Sequence, residues 1–264
     1  MSEAEGTVKL ERDGKKLIIE IDRKDKMNGF TPMMFDGISK AFQELEDDPD
    51  LWVGLLFFAG EHTTAGLDLP KFFGPNAHVD EESDKDSNDR PDAFALRRIC
   101  SKPIVMAVQG ITYTVGIEMM LAADIVVASE DCRFCQLEPK RGLAVFGGAH
   151  VRYIQRAGWG NAMYHLMRAD EFDASRALEI GFVQEVVSVG SQIARATELA
   201  DEICQCSPIA LQEIKRAAKV YLQEGEEKAF AEIDRMRQVT LSSEDAKEGM
   251  QSFIEKRKPS FEGK

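Results

Sequence analysis

The chain has 264 residues and a mass of 29.5 kDa, and its 33 Lys and Arg residues against 46 Asp and Glu residues give a formal net charge of −13 at pH 7. With 44% hydrophobic and 30% charged residues, the composition is that of a soluble globular protein, which excludes disorder as the global state. The net charge argues against nucleic acid or an anionic membrane as a partner, because both require a basic surface. The length suits one large α/β domain or a domain with a helical annex.

Cysteine usage indicates a reducing compartment. The chain has five cysteines, an odd count, and its first residues are acidic without an apolar stretch, so we expect free thiols in a cytoplasmic protein. Cys132 and Cys135 have a spacing that occurs in zinc sites, but both fall in a strand-like run, in which residues three apart face opposite sides. The sequence therefore predicts no metal site.

The first hundred residues alternate between strand and helix patterns. Residues 8–22 form two short apolar runs around Asp13-Gly14, which predicts a β-hairpin. Thr31-Pro32 is a capping residue followed by a proline suited to the first helical turn, and the next apolar residues keep helical spacing. Residues 51–59 are almost continuously apolar, as expected of a strand covered on both faces. Residues 80–92 are rich in acidic side chains and predict a solvated loop or flap.

The most apolar stretch, residues 104–129, predicts a second strand–helix–strand unit. It is long enough for a transmembrane helix, but Gln109-Gly110, Glu118 and Asp124 interrupt it. We therefore predict strands over 104–109 and 125–128, joined by a turn at Gly110 and a helix over 114–122.

The second half of the chain is mainly helical. The apolar stripes of its last ~65 residues are too wide for a solitary helix layer, so these residues are expected to pack on the core or on another subunit. Helical spacing predicts helices over 149–156, 161–168, 175–180, 191–204, 208–222, 226–239 and 244–255, with a last strand-like run over 182–187.

Glu118 is the most informative residue for function. A carboxylate on a helix among Val115, Ile117 and Met119 is costly to bury unless it is paired, hydrogen-bonded or protonated. Burial would raise its pKa and give an acid or base poised near neutral pH. The alternative is that Glu118 lies on the single polar stripe of that helix, and the residues alone do not decide between the two.

Glu138 is a second candidate for acid–base chemistry. It follows a strand-like run over 133–137 and precedes Pro139, which disfavours a helical Glu138. The sequence therefore predicts an extended residue at the end of a strand, a position that can aim a side chain into a crevice. Taken alone, Glu138 is equally compatible with a surface position.

Two glycine-bearing turns follow apolar strands, one over 63–69 and one over 110–116. Each can present unpaired backbone N–H groups, and two such donors converging on one point would form an oxyanion hole. The sequence contains no nucleophile elbow, Walker A loop, dinucleotide-binding glycine motif or H-E-x-x-H motif, and its four histidines are scattered. His62 is the one histidine retained as a candidate pocket residue.

Four motifs stand out together, namely Ala65-Gly66-Leu67-Asp68-Leu69, residues 110–118, Glu138 with Arg141-Gly142 behind it, and the tail over 253–261. Together they resemble the enoyl-CoA hydratase (crotonase) superfamily, and their order and spacing agree with it over nearly the whole chain. The resemblance implies an α/β fold with a stacked ββα-repeat core over residues 1–198, which holds a CoA-thioester site. It also implies a C-terminal α-helical trimerisation region over residues 199–264, with homotrimers or homohexamers as the assembly.

The resemblance also implies a ligand and residue roles. The ligand is an acyl-CoA thioester, and no separate cofactor is expected because coenzyme A is part of the substrate. The backbone N–H groups of Leu67 and Val115 would bind the thioester oxygen, and Glu118 and Glu138 fall where the family's hydratases carry two catalytic glutamates. Substrate-binding positions implied in the same way are Lys26, Met27, Ala65, Gly66, Asp68 and Gly116, with cations for the coenzyme A end expected from Arg23, Lys24, Lys256 or Lys258.

The presence of both glutamates favours hydration of a 2-enoyl-CoA, since family members that catalyse other reactions typically lack one of the two. We assign Glu118 as the base that activates water and Glu138 as the acid that protonates C2, a division that can be shared or reversed. Two alternatives stay open. One is another reaction of the family, namely double-bond isomerisation, C–C cleavage or thioester hydrolysis, and the other is a non-catalytic oligomeric scaffold. The acyl group also stays open, because it depends on residues 80–92 and on residues near Phe146.

Overall fold

A six-stranded sheet forms the centre of the chain, as seen in a computed structural model that describes residues 5–73 and 89–264. The strands are β1 (Thr7–Asp13), β2 (Lys16–Asp22), β3 (Val53–Phe58), β4 (Ile104–Val108), β5 (Ile111–Tyr113), β6 (Ile125–Ser129), β7 (Arg133–Cys135), β8 (Phe172–Asp173) and β9 (Glu185–Val187). The central sheet has the order β1-β2-β3-β4-β6-β9, in which only β1 and β2 are antiparallel. A small second sheet has the order β5-β7-β8.

Helices cover both faces of the central sheet and form the C-terminal part of the chain. They are α1 (Pro32–Asp47), α2 (Leu69–Phe73), α3 (Val115–Ala122), α4 (Ala149–Arg168), α5 (Ala174–Glu179), α6 (Gln192–Ile203), α7 (Pro208–Glu224), α8 (Glu226–Ala231), α9 (Ile233–Leu241) and α10 (Glu244–Glu255). Two short 3₁₀ helices lie at Lys24–Lys26 and Glu138–Arg141. None of the helices in the described ranges is both long and apolar enough to span a membrane.

The hairpin and the first helix confirm the local signals in the sequence. β1 and β2 pair up to Asp13 opposite Lys16, so Gly14, with φ of 58°, lies in a two-residue turn. At α1 the Thr31 hydroxyl accepts a hydrogen bond from the Met34 N–H (3.4 Å), and Pro32 occupies the first turn. Both elements are therefore fixed by a few local residues.

Alternation along β3 and β4 divides the core between the two faces of the sheet. Leu56 and Met106 belong to the main hydrophobic cluster, which includes the buried side of α1. Leu55 and Val105 point the other way, into a second cluster with Ala196 and other residues of α6. Burial on both faces explains why these strands appear in the sequence as continuous apolar runs.

Several predicted elements differ from the structure. The strand predicted over 133–137 ends at Cys135, and the helix predicted over 226–239 is divided into α8 and α9. The helices predicted over 149–156 and 161–168 are joined in α4, which is interrupted at Gly158 (φ 71°, ψ 166°). β5 and β8 were not predicted, because strands of three and two residues owe their existence to pairing with β7 and carry little local pattern.

The helical C-terminal part is tied to the sheet by polar contacts. The Lys215 ammonium on α7 lies 2.6 Å from Asp124, whose carboxylate also accepts the Ile104 N–H (2.7 Å). The predicted division between residues 198 and 199 falls inside α6, and the two-domain division stays a prediction. Most of the acidic segment predicted as a flap, residues 80–88, lies outside the described residues.

Candidate active site

The two glycine-bearing turns lie against each other. The Thr64 N–H donates to the Ile111 carbonyl and the Thr64 carbonyl accepts the Tyr113 N–H, both at 3.0 Å, so the first turn runs beside β5. Gly66 has φ of 116°, and a Cβ at this position would lie 2.7 Å from the Thr114 hydroxyl. Only glycine fits this close approach, which brings Leu67 next to the start of α3.

The backbone N–H groups of Leu67 and Val115 are free to bind a ligand. Within residues 5–73 and 89–264, no hydrogen bond is donated by either group. Val115 is the first residue of α3, so its N–H has no acceptor within the helix. The preceding Thr114 has φ of 47° and ψ of −108°, a conformation that costs a β-branched residue roughly 1–3 kcal/mol. The surrounding structure thus imposes strain at the residue that orients the Val115 N–H.

Glu118 is buried, with 4% of its surface exposed, and does not lie on an exposed polar stripe. Its Oε1 accepts hydrogen bonds from the N–H groups of Gly147 (2.8 Å) and Ala149 (3.2 Å). Burial raises the pKa of Glu118 to about 7, and the charge of Glu138 acts in the same direction, while the two N–H groups and the Arg152 guanidinium oppose the rise. The carboxyl group therefore changes its protonation state near neutral pH.

Gly147 leaves no space between its backbone and the carboxyl group of Glu118. A Cβ at Gly147 would lie 2.4 Å from Oε2 of Glu118, so any side chain here would displace the carboxyl group. The glycine pair 147–148 therefore has two roles. Gly147 donates the hydrogen bond to Glu118, and Gly148 caps the start of α4.

Glu138 begins the 3₁₀ helix Glu138–Arg141, so the predicted extended conformation at a strand end is wrong. Pro139 lies in the first turn of this helix, where an N–H would lack an acceptor in any case, and Gly142 closes it in a left-handed conformation (φ 73°). Bonds from Gly142 to Pro139 and from Leu143 to Glu138 outweigh the extended preference that a proline imposes on its predecessor.

The carboxyl group of Glu138 has one fixed and one free oxygen. Oε1 accepts a hydrogen bond from the Gln136 amide (3.0 Å), and the Gln136 carbonyl oxygen in turn accepts the Tyr153 hydroxyl (3.3 Å). Oε2 is buried and has no hydrogen-bond partner in the described part of the chain. Burial raises the pKa of Glu138, and its own N–H and Gln136 oppose the rise. A buried acceptor without a partner is the atom to which a bound ligand or water would bind.

One cavity of about 420 Å³ brings the predicted chemistry together. Its lining includes Ala65, Gly66, Leu67, Val115, Glu118 and Glu138. The side chain of Val115 is itself buried in the main hydrophobic cluster. The two backbone donors and the two carboxyl groups therefore belong to one site.

The other predicted substrate-binding residues lie elsewhere. Met27 lines a neighbouring cavity of about 270 Å³, together with Lys24 and His62, and its carbonyl accepts the Ala65 N–H (3.0 Å). Asp68 forms an ion pair with the buried Arg23 (2.8 Å). Lys26 is exposed on the first 3₁₀ helix, and Gly116 packs against Thr64 and Thr112.

Sequence reasoning missed three groups that hold the glutamates. Gln136 and Tyr153 orient Glu138, and Arg152 donates a hydrogen bond to the Gly147 carbonyl (3.1 Å). None of them has a local sequence signal, because each acts on a residue brought near by the fold. Among residues 5–73 and 89–264 there is no cluster of His, Cys, Asp and Glu side chains suited to a metal ion.

Comparisons with known proteins agree with this fold. The sequence model of the family "Enoyl-CoA hydratase/isomerase" matches residues 13–264. An enoyl-CoA hydratase (EchA19) of Mycobacterium tuberculosis is 31% identical over 97% of this chain and 96% of its own length. A carnitinyl-CoA dehydratase of Salmonella typhi is 32% identical, over 97% and 98%. The crystal structure of a probable enoyl-CoA hydratase/isomerase from Mycobacterium abscessus superposes with a TM-score of 0.90, at 37% identity, covering 98% of this chain and 99% of that one.

An α/β core with a helical C-terminal part and a cavity that joins two buried carboxyl groups to free backbone donors defines a crotonase-type protein. The chain belongs to the enoyl-CoA hydratase/isomerase family.

Replacing Glu118 with Gln is expected to stabilise the protein above neutral pH. A carboxyl group whose pKa rises from 4.5 to about 7 on folding contributes full stability below pH 4.5 and loses it as the pH rises through 7. The free energy of unfolding of Glu118→Gln should therefore exceed that of the native protein by up to roughly 3 kcal/mol at pH 8, and the difference should vanish near pH 4.5. Denaturant unfolding between pH 4.5 and 8 measures it.

Glu248→Gln is the control for this measurement. Arg257 lowers the pKa of Glu248 to about 2, so the contribution of Glu248 is constant above pH 4.5. A difference between Glu118→Gln and the native protein that also stays constant from pH 5 to 8 would contradict the raised pKa.

Proposed function

We propose that this protein is an enoyl-CoA hydratase, which adds water across the 2,3 double bond of a 2-enoyl-CoA thioester. The observation that carries the proposal is the joint presence of Glu118, Glu138 and the unpaired N–H groups of Leu67 and Val115 on one cavity. Addition of water to a conjugated thioester calls for donors that stabilise the thioester oxygen and for an acid and a base that transfer protons.

The backbone donors act on the thioester oxygen. When a hydroxide equivalent adds to C3, negative charge moves to this oxygen and an enolate-like transition state forms. The N–H groups of Leu67 and Val115 stabilise that charge as an oxyanion hole, and each donor is worth about 3 kcal/mol. The dipole of α3, whose first residue is Val115, acts in the same direction.

The two carboxyl groups divide the proton transfers. Glu118, with a pKa of about 7, is substantially ionised at neutral pH and accepts a proton from the attacking water. Glu138 is assigned as the acid that delivers a proton to C2 through Oε2, the oxygen without a partner in the described structure, and burial raises its pKa. The division can be shared or reversed, because the two groups interact and titrate as a pair. The names of the two relatives, a hydratase and a dehydratase, describe the two directions of water addition.

The smaller cavity supports a place for the coenzyme A moiety. It adjoins the main cavity through the Ala65–Met27 hydrogen bond, and Lys24 supplies a cation there. Assembly into homotrimers or homohexamers is part of the proposal, supported by large apolar side chains exposed on the C-terminal helices, such as Phe230 (62%) and Phe253 (84%). Reduced, buried thiols such as Cys100 fit a cytoplasmic location.

Conservative substitution of either glutamate should abolish most of the hydratase activity. Purified native protein is expected to remove the ultraviolet absorbance of a conjugated 2-enoyl-CoA, and Glu118→Gln and Glu138→Gln should each lose at least ~100-fold in kcat, because a general acid or base is removed. The exposed Glu130→Gln is the matched control and should keep full activity.

Mass analysis of the product separates hydration from the other reactions of the family. Hydration leaves the thioester intact and adds one water, whereas isomerisation leaves the mass unchanged, and C–C cleavage and thioester hydrolysis give smaller acyl products or free coenzyme A. Native-like rates in either glutamine variant would disprove the assigned roles. Intact trimers that bind no CoA ester would instead support a scaffold.

The pH profile should report the ionisation of Glu118. We expect kcat/KM to rise with pH up to about 7, as Glu118 loses its proton and becomes able to accept one from water. The residual activity of Glu118→Gln should lack this acidic limb. An acidic limb that persists in Glu118→Gln would assign it to another group.

A further inference from the structure

The main cavity has few charged side chains among its described lining residues. Among the described residues that line it, the charged side chains are Glu118, Glu138 and Arg141. Arg141 lies three residues after Glu138 in a 3₁₀ helix, in which residues three apart are on the same side. Apart from the two carboxyl groups and Arg141, the described lining is almost entirely apolar.

The apolar part of the lining, here named the acyl chamber, consists of Phe35, Phe72, Phe73, Phe94, Leu96 and Phe146. Four of its rings form a continuous wall, with centroid distances of 5.2 Å for Phe35–Phe94, 6.0 Å for Phe35–Phe72 and 6.4 Å for Phe72–Phe73. Leu96, Phe73 and Phe146 are 52%, 66% and 67% exposed. Large apolar side chains that are solvent-exposed and share one cavity indicate a surface that contacts an apolar ligand.

We propose that the acyl chamber selects apolar acyl groups of about eight or more carbons over the four-carbon crotonyl group. This inference rests on the proposed function and names its substrate class. A cavity of about 420 Å³ falls in the size range of drug-sized ligands, and a four-carbon acyl group would leave most of the phenylalanine wall in contact with water. An acyl group ending in a carboxylate or hydroxyl would bring a polar group to a wall with no described partner for it.

The test is a series of 2-enoyl-CoA substrates with four, six, eight, ten and twelve carbons. Each buried methylene is worth about 0.8 kcal/mol, or roughly fourfold, at full burial. In this open chamber we expect kcat/KM to rise at least ~10-fold from four to eight carbons, mainly through a lower KM, because the added methylenes contact the wall equally in the ground state and the transition state. Equal or higher kcat/KM for the four-carbon substrate would overturn the proposal.

Phe146→Ala tests the chamber wall directly. It should lower the ratio of kcat/KM for the eight-carbon substrate to kcat/KM for the four-carbon substrate at least ~5-fold. Trp159→Ala is the matched control, since Trp159 is also 68% exposed but does not line the cavity. An equal loss for both substrate lengths in Phe146→Ala would contradict the assignment.

Calorimetry with saturated acyl-CoAs separates this proposal from the hydratase proposal. Octanoyl-CoA should bind at least ~10-fold more tightly than butyryl-CoA even if no hydration occurs. Selective binding without turnover would therefore refute the hydratase proposal alone, and turnover without chain-length selectivity would refute the acyl chamber alone.

Arg152 provides a second, independent inference. Its guanidinium donates hydrogen bonds to the carbonyls of Gly147 (3.1 Å), Ala95 (3.1 Å) and Phe94. Gly147 holds Oε1 of Glu118 through its N–H, and Phe94 belongs to the wall of the acyl chamber. One side chain on α4 thus connects the backbone that holds Glu118 to the segment that lines the chamber.

The geometry points to Arg152 as a positioning residue for Glu118. Its hydrogen bond fixes Gly147 beside the carboxyl group, and its positive charge favours the ionised form of Glu118. The charged groups that face Glu118 are Glu138 and Arg152, and those that face Arg152 are Asp92, Glu118, Arg156 and Lys219. Arg152 does not line the main cavity, so in this role it acts through Glu118.

Two substitutions separate charge from hydrogen bonding. Arg152→Gln removes the charge and should move the acidic limb of kcat/KM to higher pH, whereas Arg152→Lys keeps the charge and should leave the limb in place while lowering kcat. Arg168→Gln, at the exposed end of the same helix, is the control. An unmoved acidic limb in Arg152→Gln would reduce Arg152 to a structural role and overturn the proposal.

Stability gives a readout that does not depend on activity. The stabilisation by Glu118→Gln begins near pH 4.5 in both backgrounds, but in the Arg152→Gln background it should level off at a higher pH and reach a larger value than in the native one. No difference between the two backgrounds would likewise overturn the proposal.

Discussion

Burial of one carboxyl group, that of Glu118, is the constraint on which the site depends. An ionised carboxylate among the apolar residues of α3 is unfavourable unless dipoles or charges replace its water. The N–H groups of Gly147 and Ala149 and the charge of Arg152 do so in part. The resulting carboxyl group is partly protonated and partly ionised near neutral pH, which is the property that a general base requires.

The backbone around Glu118 also carries unfavourable features that serve the site. Thr114 adopts a strained conformation and Gly66 has no side chain, so two turns from different parts of the chain come into contact. Their contact leaves the N–H groups of Leu67 and Val115 without acceptors in the described structure. Strain and unpaired donors are costs in folding, and both are concentrated at the cavity that holds the two glutamates.

The sequence predicted the features that depend on short-range interactions. The hairpin at Asp13-Gly14, the cap at Thr31 and the strands buried on both faces follow from short-range patterns, and a carboxylate within an apolar helix pointed to Glu118. The conformation of Glu138 was missed, because hydrogen bonds in a 3₁₀ turn overcame the preference imposed by Pro139. Arg152 was missed, because its three carbonyl partners are 5 to 58 residues away along the chain.

The groups proposed for chemistry and those proposed for substrate selection differ in how firmly they are held. The donors and glutamates belong to β5, α3 and the segments that pair or bond with them, so their geometry is fixed by hydrogen bonds. The acyl chamber instead draws on α1, the short α2, the segment around Phe94 and the loop before Gly147, where several side chains are exposed. In the proposed hydratase, changes in the chamber would alter which acyl group binds more readily than they would alter the proton transfers. Arg152 bonds to the backbone of both parts, so a change there would affect both at once.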